Sequence, residues 1–189
     1  MKEYDYEKHL KLSDAVRSGY EPEIYRQLRK LKHNPYGYFD IQFALLCAAA
    51  RDMTEVGQAL IDSGANVNYG MSTVYPMEPV YNPLPPPDGD DSMRPPIFNA
   101  LECASFAFTR MLLRCGAELN VFDDKGTTPL VRFIWAIPDF KDSGQSMDCY
   151  YLLEEHGADL DFGHTSHSRS TNDWLRDGRR SMYYPFERL

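Results

Sequence analysis

The sequence predicts an all-α solenoid of helix-turn-helix units with finger loops. Three observations predict it. The first is a fifteen-residue phrase at 116–130, G-A-E-L-N-V-F-D-D-K-G-T-T-P-L, which reads as the end of one helical hairpin running into the start of the next. In it, Gly116 ends a helix in the left-handed turn that glycine adopts at least cost. Asp123, Asp124 and Gly126 supply turn chemistry. Thr128 and Pro129 open a helix, where the missing proline N–H costs nothing. The second observation is that Gly-Ala recurs at Gly64-Ala65, Gly116-Ala117 and Gly157-Ala158, followed by N-V-N, E-L-N and D-L-D. The third is spacing: Leu45 stands nineteen residues before Gly64, and Ile97 nineteen before Gly116. Two matches at one interval mark a repeat.

Taken in order, L-S-D-A-V-R-S-G at 12–19 predicts a first inner helix ending in glycine. Residues 21–31 predict its outer helix, with Ile24, Leu28 and Leu31 at helical spacing. Asn34-Pro35-Tyr36-Gly37 predicts a turn. Helices then follow at 41–50 and 53–63, 96–103 and 105–115, and 128–137 and 146–156. From Leu130 to Gly157 the interval is twenty-seven residues, so about eight are inserted, placed by Pro and Gly between 138 and 144. A cap is expected over 163–189, where Trp174, Leu175, Tyr183, Tyr184 and Phe186 could seal the last apolar face.

These features resemble the ankyrin-repeat family, whose unit of about 33 residues runs turn, inner helix, outer helix, Gly-Ala and extended finger. The resemblance covers about 12–162. It divides the chain into a degenerate N-terminal repeat (1–38), a repeat (39–69), a Pro-rich insertion (70–94), a repeat (95–122), a repeat with a short insertion (123–162) and a C-terminal cap (163–189). The family's T-P-L-H stands here as F-A-L-L at 43–46, P-P-I-F at 95–98 and T-P-L-V at 128–131, so the hydrogen bonds of its histidine are missing. Phe133 occupies a place where the family prefers alanine, which implies wider helix packing there.

The net charge is −8, with five Arg against three acids in 163–189 and the deficit concentrated in the rest. That balance argues against nucleic acid and anionic membrane as targets. It suits a basic protein partner or serves solubility alone. The charged opening M-K-E-Y-D-Y-E-K-H-L lacks the apolar run of a signal peptide, and no stretch approaches the roughly 18 apolar residues of a membrane span. Cys47, Cys103, Cys115 and Cys149 form no C-x-x-C pair, a pattern that fits reduced thiols in a cytoplasm. A soluble, cytoplasmic chain, monomeric when free, is expected.

The resemblance implies binding through the fingers and the concave face of the inner helices, and no chemistry. The matching inner positions are Arg17 and Ser18, Ala50 and Arg51, Glu102 and Cys103, and Trp135 and Ala136. Trp135 has the profile of an interface anchor, or else folds beneath the nearby insertion as core. Arg17, Arg51 and Glu102 either line one groove or are solvated. Asp123, Asp124 and Lys125 are finger residues, serving as turn or as contact. Independently of the family, the stretch 70–94 holds six of the thirteen prolines and carries Tyr75, Met77, Tyr81 and Leu84 on a polar background. It reads as a semi-rigid loop, either partner-binding or passive, with Tyr75 and Tyr81 as its candidate contacts.

No catalytic residue, cofactor or metal site is expected. His164 and His167 have ligand-like spacing but need further ligands, with His156 and Asp161 the nearest candidates. No phosphate-cradling glycine loop and no nucleophile elbow is present. Two roles fit: a stoichiometric inhibitor such as an immunity protein or antitoxin, or an adaptor or effector that recruits another protein. A structural subunit of a larger assembly is a smaller third possibility.

Overall fold

The computed structural model describes residues 11–34, 37–70, 94–123, 127–136 and 144–159. They form eight α-helices: α1 (Lys11–Ser18), α2 (Glu21–Lys30), α3 (Gly37–Ala50), α4 (Thr54–Asp62), α5 (Pro96–Glu102), α6 (Phe106–Arg114), α7 (Pro129–Ala136) and α8 (Gly144–Glu155). The odd-numbered helices α1, α3, α5 and α7 pack in succession, each on the next. Helices α2, α4 and α6 return alongside them as the second limb of each hairpin, and α4 packs on α6. Among the described residues no helix is long and apolar enough to cross a membrane.

The Gly-Ala junctions end their helices by one repeated device. Gly64, Gly116 and Gly157 have φ of +103°, +85° and +86°, and Gly19 follows α1 at +73°. At each of the three junctions the alanine N–H donates to the carbonyl five residues back: Ala65 to Leu60, Ala117 to Leu112 and Ala158 to Leu153, all at 3.0 Å. This satisfies carbonyls a helix end would otherwise orphan, and it buries an apolar contact beneath the turn. At the opening of α7, Thr128 Oγ1 accepts the Val131 N–H at 3.3 Å and Pro129 takes the first helical position, the start that sequence reading placed there.

One core runs through the stack. Leu12, Ile24, Leu45, Leu60, Ile97, Phe98, Leu101, Phe108, Leu112, Leu130 and Phe133 are fully buried within it. Phe133 meets Phe106 edge-on, with ring centroids 6.0 Å apart. Helix α3 is buried almost all round, as its apolar composition requires. Its second face carries a small separate cluster of Phe43 and Leu46 with Phe39, Cys47 and Tyr69.

Polar side chains, from the buried Asp40 to the exposed Asp52 and Asn120, tie successive hairpins together. Asp40 of α3 accepts the N–H groups of Leu12 (3.0 Å) and Ser13 (2.9 Å) at the head of α1. Asp52 Oδ1 accepts the Phe108 N–H at the head of α6 (2.8 Å). Asn68 grips the next junction, donating to the Gly116 carbonyl (3.1 Å) and accepting the Glu118 N–H (2.9 Å). Asn120 repeats the grip one hairpin later, on the Gly157 carbonyl (2.9 Å) and the Asp159 N–H (2.8 Å). Both asparagines stand four residues after their own junction glycine.

The structure corrects two boundaries. Helix α3 begins at Gly37 rather than after a turn that includes it, and a Cβ on Gly37 would lie 2.6 Å from the Leu31 carbonyl oxygen. Glycine is needed there for close approach. Gly144 opens α8 instead of closing the short insertion. The insertions at 71–93 and 137–143 and the expected cap over 163–189 lie outside the described residues.

Between the limbs of two hairpins the chain turns through Asp52 (φ +53°) and Ala104 (φ +55°), a region that costs a side-chain-bearing residue roughly 1–2 kcal/mol. Ala104 is exposed, so little burial is lost with its methyl group. Ala104→Gly is therefore expected to stabilise the chain by about 1 kcal/mol in urea titrations. A lower midpoint would contradict this. Glycine at 52 gains the same backbone relief but loses the α6 cap.

Candidate interaction surface

Because the odd-numbered helices stack, their last turns follow one another as a row: Arg17 and Ser18, then Ala50 and Arg51, then Glu102 and Cys103, then Trp135 and Ala136. Arg17, Ser18, Ala50, Arg51 and Cys103 are exposed, while Glu102, Trp135 and Ala136 are half-buried. The two ends of the row differ in their electrostatics.

At the first end, Phe43 and Cys47 lie four apart on one face of α3, and Arg51 follows four residues on, just past the helix end. The Arg17 guanidinium comes across from α1 and sits over the Phe43 ring, 4.6 Å from its centroid. It pairs with Asp14 at 3.5 Å, and both side chains are more than half exposed (53% and 59%), so the pair adds little. The Arg51 guanidinium folds back over the glycine that ends α1: a Cβ at Gly19 would lie 3.0 Å from Arg51 Nη2. At the opposite, N-terminal end of α3, Tyr38 is exposed and edge-on to Phe39 and Tyr69, with centroids 5.8 and 5.7 Å away.

At the other end the charges are spent internally. Glu102 Oε1 lies 2.7 Å from Arg94 Nη1 and 3.8 Å from Arg132 Nε. Arg132 Nε donates at 2.7 Å to Asp123 Oδ2, and Asp123 also accepts the backbone and hydroxyl hydrogens of Thr127 at 2.8 and 2.7 Å. The Asp123 carboxylate is fully buried, so this pairing is a condition of its burial. Trp135 is drawn in as well, with the Arg132 guanidinium 5.7 Å from its ring centroid. Arg94 is the last residue of the Pro-rich 70–94 stretch, so Glu102 holds the chain at the end of it.

Of the residues named from sequence, Arg17 and Arg51 come together at one end of the row as exposed cations. Glu102 and Trp135 come together at the other end through Arg132. Tyr75, Tyr81, Asp124 and Lys125 lie outside the described residues. Sequence reasoning missed Phe43, Arg94 and Arg132. Phe43 was legible as the residue eight before Arg51 in the helical register. The two arginines had no such signal, because their partners are set by the stacking.

All four cysteines are free. Burial pushes the Cys149 thiol up to about 12. It also raises Cys47, against the opposing pull of Arg17 and Arg51, and raises Cys103 with help from Glu102. Such thiols stay protonated at neutral pH and are weak nucleophiles. Among the described residues no group of three or more His, Cys, Asp or Glu could hold a metal ion. His156 is exposed and bonded through Nδ1 to the Leu152 carbonyl (2.8 Å), while Asp161, His164 and His167 lie outside the described residues. On the opposite side an open groove of ≈ 680 Å³ runs between α4, α6 and α8 over Phe106, Met111 and Leu152. Its ionic walls, Glu55 and Asp148 against Arg110 and Arg114, balance in sign and favour no one charge of ligand.

No protein-family model matches the chain, and no curated protein matches it significantly.

Proposed function

We propose that the chain is an ankyrin-like repeat solenoid that works as a non-enzymatic, cytoplasmic protein-binding module. It acts by occupancy, with no bond made or broken. The observation that carries this reading is the set of inner-helix ends, which leaves Arg17, Ser18, Ala50, Arg51 and Cys103 exposed beside one continuous core. Its leading form is a stoichiometric inhibitor of a partner enzyme, in the manner of an immunity protein or antitoxin. The acidic composition supports attraction to a partner that is basic overall.

The test has two stages. The full chain is used to capture its partner from the source cells, and the purified partner is then titrated with the chain. Activity falling to zero at one equivalent is the expected result. A partner that is saturated yet fully active would sink the inhibitor reading.

The adaptor or effector reading is favoured by a specific feature, the 70–94 insertion with Tyr75, Tyr81 and six prolines. Its feet are fixed, by Tyr69 against Tyr38 and by Arg94 on Glu102. Deleting 72–92 is expected to leave the helical circular dichroism unchanged while abolishing capture. Undiminished capture would remove the insertion from the interface.

A further inference from the structure

We propose that the groove between α4, α6 and α8 is the contact face of a two-fold dimer, its occupant being a second copy of this chain. This is independent of the inner-helix reading, since it uses the other helices of the stack and leaves those ends free.

The charges at the groove select that occupant. From helix to helix they run acid, base, acid: Glu55 on α4, Arg110 and Arg114 on α6, Asp148 on α8. All four side chains are exposed, and among the described residues none of them makes an ion pair. A basic partner, the kind that a net charge of −8 attracts from a distance, would meet two arginines here. An acidic chain or a nucleic acid would meet two carboxylates. A surface with both signs in equal number is matched by its own copy, because a two-fold contact sets residue i against residue j and j against i. With the axis between α6 and α8, Arg110 and Arg114 of each copy face Asp148 of the other. The apolar surface agrees. Phe106 and Leu152 are half-buried at the floor of the groove. Next to Leu152 in the chain, Tyr151 is 53% exposed, and among the described residues it is the one large apolar side chain of α4, α6 and α8 left so. Covering these with a second copy removes apolar area from water while each charge gains a partner. Twelve residues line the groove, against roughly 20–30 a side in a standard interface, so the dimer is a weak one with Kd on the order of 100 µM. At low micromolar concentration the chain stays the monomer expected from its sequence.

The test is sedimentation equilibrium of the full chain between about 10 µM and about 1 mM, with two charge-swapped variants beside the wild type. One variant carries Arg110→Glu with Arg114→Glu, the other Asp148→Arg. Circular dichroism establishes that both remain folded. The wild type is expected to dimerise within this range. Each variant alone is expected to weaken the dimer by about tenfold or more, because like charges then meet in both halves of the contact. Mixed in equal amounts, the two variants are expected to pair again, since every repulsion becomes an attraction in the mixed dimer. Both variants remain net acidic, so bulk charge does not draw them together. A wild type still monomeric at about 1 mM, a dimer that survives either swap, or a mixture that fails to recover overturns the proposal.

Discussion

Asp40→Ala should lower stability by about 3 kcal/mol, because it strands two buried backbone N–H groups at about 1–3 kcal/mol each. Leu12, Ser13 and Asp40 are all buried, so water cannot replace the lost acceptor. The effect is a large part of the ~5–15 kcal/mol that holds a typical domain. It should appear as loss of protection at the α1 amides before the rest of the chain opens. Urea titration with hydrogen exchange measures both, and a loss below about 1 kcal/mol would show that α1 does not depend on this cap.

The same carboxyl carries a pH signature. Burial raises its pKa above the ordinary carboxyl range, with a smaller push from Asp14, against the downward pull of the Leu12 and Ser13 N–H groups. A folded pKa above the unfolded one means that the native chain holds the proton more tightly. The group's contribution is then complete below about pH 4 and declines as pH rises through the folded pKa. Asp40→Asn has no such slope. The stability gap between wild type and Asp40→Asn should therefore move against the wild type as pH rises above about 4. A constant gap would contradict it.

Gly57→Ala should also destabilise, by about 1–3 kcal/mol, although alanine is the better helix former by about 1 kcal/mol. A Cβ at 57 would lie 2.4 and 2.5 Å from Phe108 ring carbons and 2.8 Å from the Met111 methyl. Phe108 is fully buried, so its ring has nowhere to retreat. This glycine lets α4 and α6 approach. Phe108→Leu combined with Gly57→Ala should cost less than the sum of the two single changes, since the shorter side chain vacates the contested space. Strict additivity in thermal unfolding would remove the steric account.

What the sequence made legible was local. Gly64, Gly116 and Gly157 announced helix ends because the left-handed turn is a property of a few adjacent residues, and Thr128-Pro129 announced a start for the same reason. The seams between hairpins were not legible. Asp40 caps a helix some 27 residues upstream and Asp52 one 56 residues downstream, and no local pattern encodes a partner at that distance. Gly37 was read as a turn because its sequence context is turn-like, whereas its reason for being glycine is the Leu31 carbonyl. In the candidate surface, the helical register was enough to name Arg17 and Arg51. It could not show that Arg132 ties Glu102 and Trp135 into an internal network, since that depends on how α5 and α7 lie together.

The asparagine seam has a bearing on how such a chain could lengthen. Asn68 and Asn120 each carry the complete grip for the unit that follows, on matching atoms of the next junction. A tandem duplication of 69–120 would therefore set the first copy's Asn120 against the second copy's Gly116, reproducing the bond Asn68 already makes. Growth by whole modules would carry this asparagine fastening with it, and gene rearrangement could alter the reach of the molecule while this joint repeats.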